Sequence, residues 1–284
     1  MKKILFVFIV SLLYCGNVFS QIPAKELHVT YIGNEGFMFE SSSHKIIIDG
    51  LYNDGYGLFA VPAKNTIEKI QAMEPPFDKI DLLMLTHYHK DHCDPELINQ
   101  YLSAHKDISF VTNHPAVTFI NGNIFDFIML KKQFRELTPE RNKCISEIIN
   151  GILIKAYGTK HLSYFKDSID VEEYMYNASY LINMDGISVF HSGDILMEDL
   201  KNYIDKNGKW ADKIDIAFLY FDMLRENADL DYIINTLNPK QIVLMHVPPV
   251  YNDKVAAMVN EYRDKFPGIM FFKDSMEQKI FKFN

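Results

Sequence analysis

Residues 80–94 read IDLLMLTHYHKDHCD. An apolar run of strand length, suited to burial on both faces, delivers Thr86, His87, His89, Asp91 and His92 at its C-terminal end. Imidazoles and carboxylates at that density lose hydration and crowd one another unless something binds them. The segment therefore constrains two things together: a strand inside a sheet-based interior, and a polar constellation at that strand's end. On an extended chain, residues two apart point the same way, so His87 and His89 can grip one ion. Asp91 and His92, beyond the turn, face another direction and suit a second. Imidazole and carboxylate are the donors that Zn²⁺ and similar borderline metals prefer. So few groups cannot fill two metal shells, and the remaining ligands must come from elsewhere in the chain.

The surrounding sequence supplies a sheet for such a site. ELHVTYIG, GFMFES and HKIIIDG read as successive strands, punctuated at Gly33-Asn34 and Ser42-Ser43. Residues 64–73 have a helical pattern stopped by Pro75-Pro76. Asp94-Pro95 predicts the N-cap and first turn of a helix running to about Leu102. ISFVTN is a further strand, and residues 124–142 are mixed and charged. Two hairpins are expected, turning at Asn150-Gly151 and Asp185-Gly186. IDIAFLY, a helix near Asp229–Leu237 and QIVLMHV form a strand–helix–strand unit. With 284 residues, 48% of them hydrophobic, and no linker or repeat, the chain reads as one α/β domain spanning 21–284.

Three more candidate donors stand at strand ends, where open α/β sheets collect ligands: His161 in YGTKHLSY, Asp194 in VFHSGD and His246 in IVLMHVPP. Together with HxHxDH at 87–92 and Asp49 closing an early strand, they form a series that resembles the metallo-β-lactamase superfamily. The resemblance covers almost the whole chain after residue 20. It implies an αββα four-layer sandwich, two mixed sheets face to face with helices outside. It also implies two divalent metal ions, Zn²⁺ first and Mn²⁺ or Fe²⁺ as alternatives. His87, His89 and His161 would hold one, Asp91, His92 and His246 the other, and Asp194 would bridge them. Asp49, Thr86 and Ser192 would support the ligands from behind, and His191 is a packing residue or a further support.

The chemistry implied is hydrolysis by a metal-activated water, with Asp91 as the candidate catalytic residue managing protons at the leaving group. Within the superfamily, His at position 89 disfavours the flavin-linked di-iron branch. Asp194 disfavours a β-lactamase, and the absence of a further His after GD disfavours ribonuclease Z. The tail IINTLNPKQIVLMHV most resembles ascorbate-phosphate lactonase-like proteins and phospholipase D-type phosphodiesterases, which implies a phosphodiester or a lactone or other ester as substrate. A binding or sensory protein that keeps the metal centre without turnover is the alternative. The aromatic, acidic stretch SYFKDSIDVEEYMYN is a candidate pocket wall through Tyr164, Phe165, Tyr174 or Tyr176. LYNDGYG, with Gly55 and Gly57, is a second candidate edge.

The first twenty residues carry Lys2 and Lys3, an apolar run from Ile4 to Tyr14 and small residues before Gln21. That is the pattern of a secretory signal peptide and predicts export to the periplasm or beyond, with no transmembrane segment after cleavage. Removing Lys2 and Lys3 takes the formal charge from −8 to −10, which argues against nucleic acid as a partner and for a small-molecule substrate. A homo-oligomer is left open, as is pairing of Cys93 with Cys144.

Overall fold

The computed structural model describes residues 24–124, 127–208 and 210–284. The expected signal segment 1–20 lies outside them. Two seven-stranded sheets carry the chain. The first is built from β1 (Lys25–Gly33), β2 (Gly36–Glu40), β3 (Lys45–Ile48), β4 (Leu82–Met84), β5 (Ser109–Thr112) and β6 (Phe134–Glu136), joined at its far edge by the last strand of the chain. The second contains β7 (Cys144–Ile149), β8 (Ile152–Lys160), β11 (Tyr176–Met184), β12 (Ile187–His191), β13 (Ile216–Tyr220), β14 (Gln241–Met245) and β15 (Ile269–Phe271). A two-stranded hairpin, β9 (Phe165–Lys166) and β10 (Ile169–Asp170), interrupts it between β8 and β11. The closing strand, β16 (Gln278–Phe283), pairs antiparallel with β1. Each large sheet is mixed: hairpin-connected antiparallel strands come first, then three parallel pairings.

Strand periodicity explains the four layers. In β3, Ile46 and Ile48 face the space between the sheets, while Ile47 faces outward. In β4, Leu82 and Met84 point inward and Leu83 outward, so IDLLMLT is buried on both faces as its composition requires. The outer residues of the first sheet pack against α1 (Lys64–Gln71), α2 (Pro95–Ala104), α3 (His114–Asn123) and α4 (Phe127–Leu130) through Ile67, Ile70, Ile98, Tyr101, Ile120 and Leu130. The second sheet is covered by α5 (Met197–Asn207), α6 (Asn227–Thr236) and α7 (Asn252–Tyr262) through Leu200, Leu230, Ile233, Val255 and Val259. This is the αββα sandwich expected.

Asp94 caps α2 as predicted, its Oδ1 accepting from the backbone N–H of Glu96 and Leu97 at 2.9 and 3.0 Å. The mixed region 124–142 contains α4 and the edge strand β6. Cys93 is buried and Cys144 exposed, and both thiols are free. Cys93 packs in the helix-covered face of the first sheet, whereas Cys144 starts β7 of the second.

Candidate metal centre

The ends of β3, β4, β8, β12 and β14 meet at one edge of the sandwich. Asp49 follows β3, and Thr86 to His92 follow β4. His161 follows β8, Ser192 to Asp194 follow β12, and His246 follows β14. All seven candidate ligands are brought together. Three overlapping groups have donor atoms within 4.8 Å of one another: His87, His89 and His161; His87, His92 and Asp194; Asp91, His92 and His246. Asp194 joins the sets. Its Oδ2 lies 3.0 Å from His246 Nε2, 3.2 Å from His161 Nε2 and 3.9 Å from His87 Nε2, and its Oδ1 lies 3.4 Å from His92 Nε2. Asp91 Oδ2 lies 3.3 Å from His246 Nε2 and 3.6 Å from His92 Nε2.

The backs of these side chains are fixed by other groups. Asp49 Oδ1 accepts from the Thr86 N–H at 2.8 Å, and its Oδ2 accepts from Thr86 Oγ1 at 2.6 Å. The same Oδ2 meets His92 Nδ1 at 3.0 Å, so His92 turns Nε2 toward Asp91 and Asp194. With its proton given to Asp49, the Thr86 hydroxyl accepts from His87 Nδ1 at 3.1 Å. His161 Nδ1 donates to the Leu162 carbonyl at 2.8 Å. The inward nitrogens left over, Nε2 of His87, His161 and His246, are buried without a hydrogen-bond partner among the described residues, as is Asp194 Oδ1. Buried polar atoms are rarely left so, and a borderline cation suits this imidazole and carboxylate set. These residues fit divalent metal and can bind it.

Electrostatics agrees. Burial alone would raise the Asp194 carboxyl, but His246, His92 and His161 hold it well below the usual carboxylate range. Burial would likewise lower His246, yet Asp194 and Asp91 hold it up to about 10. For His89, burial and His161 outweigh Asp194 and Asp91 and push it down to about 4.

Two loops are set by backbone geometry. Asp49 and His246 adopt left-handed φ values of 47° and 59°, a conformation that costs a non-glycine residue roughly 1–3 kcal/mol and clusters at functional sites. Gly193 has φ 58°, and a Cβ there would fall 2.3 Å from Asn177 Oδ1. Only glycine allows Asn177 to reach in, where its Oδ1 accepts from the Asp194 N–H and its Nδ2 donates to the Ser192 carbonyl. Ser192 therefore acts on the loop rather than on a ligand, its Oγ donating to the Gly193 carbonyl and accepting from the Tyr220 N–H.

Beside the ligands opens a cleft of about 480 Å³. Its wall includes Tyr56 of the LYNDGYG edge and Leu58 and Phe59 just after it, together with Leu162, Tyr164, Glu172 and Tyr220. Of the four aromatic candidates after His161, Tyr164 alone lines it. Phe165 and Tyr174 are 65% and 90% exposed and are not among the residues lining it. Tyr176, the first residue of β11, turns into the space between the sheets and donates to the Pro139 carbonyl. Two-residue strands leave no periodicity from which to read the hairpin's inward face, which is why the sequence alone does not single out Tyr164 among the four.

Sequence reasoning missed Asn34 and Glu35. Asn34 Nδ2 donates to Asp91 Oδ2 at 3.0 Å and to the Asp91 carbonyl at 3.2 Å. Glu35 is fully buried, and burial with the nearby Asp194 and Asp49 raises its carboxyl well above the usual range. Both residues lie in a polar turn between strands, which in sequence is indistinguishable from a solvated one. Glu35, Asp49 and His191 form a fourth group of convergent donors. Two of its members are already engaged, Asp49 by Thr86 and His92, and His191 by the Glu35 carbonyl and the Gly193 N–H, while both Glu35 carboxyl oxygens are buried without a hydrogen-bond partner among the described residues. His191 is thus a packing and supporting residue.

A family profile described as the Beta-lactamase superfamily domain matches residues 28–246. A metal-dependent hydrolase of Thermococcus kodakarensis is 24% identical over 234 residues, covering 79% of this chain and 88% of that protein. Among solved structures, a metallo hydrolase from the archaeon Ignicoccus hospitalis aligns with a TM-score of 0.57 at 18% identity, over 91% of this chain and 100% of the other. An isothiocyanate hydrolase from Delia radicum gut bacteria aligns with a TM-score of 0.59 at 15% identity, over 90% and 99%. With its profile match running from the first strand to His246, this chain belongs to the beta-lactamase superfamily and is one of its metal-dependent hydrolases.

Proposed function

We propose that the chain hydrolyses a lactone or other uncharged ester at a dinuclear centre, with a phosphodiester as the second substrate class. The observation that carries this reading is the convergence of seven donors, several of them buried and unpartnered, on the floor of an open cleft. His87, His89 and His161 would hold one ion, Asp91, His92 and His246 the other, and Asp194 would lie between them, with Zn²⁺ the favoured metal. When bound, such ions acidify water and polarise the oxygen of the bond to be cleaved. The protein's own groups orient and exclude. Asp91 lines the cleft; Asn34 holds its Oδ2, and none of the named contacts uses Oδ1, the oxygen that would accept or return a proton at the leaving oxygen. Phe59 and Tyr220 press their rings against His246 and keep bulk water from its far side.

The wall favours the uncharged ester. Among the described residues that line the cleft, none is Lys or Arg, and the rest are aromatic, aliphatic or acidic. A phosphodiester would have to rely on the metals alone for charge balance, whereas an apolar ester matches Leu58, Phe59, Leu162 and Tyr164. The test is metal analysis combined with a panel of lactones, aryl esters, phosphodiesters, thioesters and β-lactams, run on metal-replete protein. Two metals per chain and turnover of lactones or esters is the expected result. Turnover restricted to phosphodiesters would reverse the ranking, and silence across the panel would leave a binding protein. Export is part of the same proposal, supported by Lys2, Lys3 and the apolar run to Tyr14. N-terminal sequencing of the exported protein should begin at Gln21.

A further inference from the structure

We infer that Glu172 is a positioning residue that accepts a hydrogen bond from His89 Nε2–H and so presents His89 Nδ1 to the metal, fastening the β9–β10 hairpin segment to the centre. The inference rests on His89 being a ligand, as proposed above. Glu172 Oε2 stands 3.4 Å from His89 Nε2, and the two side chains are about equally shielded. A neutral imidazole has one N–H and one lone pair, and the partner of one nitrogen decides which role the other takes. In His87 and His161 it is Nδ1 that meets an oxygen, from Thr86 and Leu162, and Nε2 that remains. His89 is the reverse case. Its Nε2 is turned to a carboxylate, so Nδ1 is the nitrogen left for a cation. A contact of 3.4 Å is longer than a fully formed charge-assisted hydrogen bond of roughly 2.7–2.9 Å. With a cation held on Nδ1, the Nε2–H would be a stronger donor toward Glu172 and the contact would shorten. This is the carboxylate–histidine–metal arrangement that fixes ring orientation and raises ligand basicity.

Glu172 is held for this role by its neighbours. Its backbone N–H donates to Asp170 Oδ1 at 3.1 Å, and the same oxygen accepts from the Tyr164 N–H at 3.1 Å. Asp170 Oδ2 is paired with Lys160, the residue before His161. The Val171 N–H donates to the Tyr164 carbonyl, closing the segment on itself. One connected set of bonds therefore runs from Lys160, beside His161, through Asp170 to Glu172, whose carboxylate stands 3.4 Å from His89 Nε2. Tyr164 rides on the same segment, so the cleft wall and the metal site are linked.

The experiment measures Zn²⁺ affinity by competition with a chromophoric chelator for wild type, Glu172→Ala, Glu172→Gln, His89→Ala and, as a neighbouring control, Glu173→Gln. Glu172→Ala is expected to weaken the tighter-coupled step about 10–100-fold. Glu172→Gln, which keeps an acceptor oxygen without the charge, should fall between it and wild type, and Glu173→Gln should match wild type. Imidazole ¹⁵N spectra of the Zn²⁺-loaded protein should show His89 coordinated through Nδ1 and protonated at Nε2. Amide hydrogen exchange across 164–175 should slow on Zn²⁺ loading in wild type and not in Glu172→Ala. Unchanged affinity in Glu172→Ala, or coordination of His89 through Nε2, would overturn the inference while leaving the metal site standing. If His89→Ala also binds Zn²⁺ like wild type, the ligand assignment beneath it fails as well.

Discussion

At the scale of single residues, the centre stores its charge in a form that a metal must displace. Without metal, His246 stays protonated up to about 10 because Asp194 and Asp91 outweigh the effect of burial. Metal ligation requires the neutral ring, so loading must expel a proton. Calorimetric titration of metal-free protein with Zn²⁺ at pH 8, in buffers of different ionisation enthalpy, should report release of about one proton or more per chain. Apparent affinity should rise about tenfold per pH unit per proton released, levelling off toward pH 10. The stability of the metal-free protein should move the opposite way. A histidine raised above its ordinary 6.5 contributes stabilisation that is complete below that value and is lost as pH rises to about 10. Thermal midpoints of metal-free protein that stay level between pH 7 and 10 would contradict this account. Thr86 gives a second residue-scale prediction. Its hydroxyl serves Asp49 and His87 at once, so Thr86→Val should weaken metal binding about 10–100-fold, with Thr86→Ser recovering most of it. Chelator competition reads both variants.

Elements differ in how plainly their own residues announce them. α2 is announced by Asp94-Pro95, and the cap is formed as written. Asp94→Ala should therefore cost about 1 kcal/mol in urea unfolding, with no change in metal stoichiometry, because Asp94 meets only backbone N–H groups at the helix start. β4 and the histidine cluster were legible for a similar reason: an apolar run fixes the strand, and the ligands follow it within the same few residues. α5 was harder, since Leu196 at its start provides no side-chain cap and nothing local marks the boundary. β16 has a strand's composition, but its place beside β1 depends on residues far apart in the chain, from Thr30 with Gln278 to Lys25 with Phe283, and is not encoded nearby. The site divides along the same line. Ligands at strand ends were readable because a buried strand can deliver a polar group only at its end. Asn34, Glu35 and Glu172 were not, because each lies in a turn or hairpin whose inward face is decided by its neighbours.

Taken whole, the molecule is two similar sheets whose ligands are split between them. His87, His89, Asp91 and His92 come from the first sheet, and His161, Asp194 and His246 from the second. Few polar bonds cross at this edge. The Tyr180 hydroxyl reaches the Leu85 carbonyl, the Ala178 N–H the Thr86 carbonyl, the His246 N–H the Asn34 carbonyl and His191 Nε2 the Glu35 carbonyl. Elsewhere the sheets are held mainly by apolar contact through residues such as Phe37, Phe39, Ile154, Val189 and Phe218, and at the β11–β12 turn by Asp185 Oδ2, which accepts from Ser41, Ser42 and the Ser43 N–H. Bound metal would therefore be a cross-link between layers, not a passenger on one of them. Removing it should loosen the ligand edge while the apolar interior stays packed. Stripping metal with a chelator should lower the thermal midpoint and leave far-ultraviolet dichroism unchanged at 25 °C. The loss should track free metal through mass action, about 2.7 kcal/mol where free metal had been a hundred times its dissociation constant. Variants on the two sheets should lose this stabilisation alike, so His89→Ala and His246→Ala should each melt near the metal-free wild type and respond weakly to added Zn²⁺. If only one of them lost the response, the metal would belong to a single sheet. If metal-free and metal-loaded wild type melted together, the cross-link would not exist.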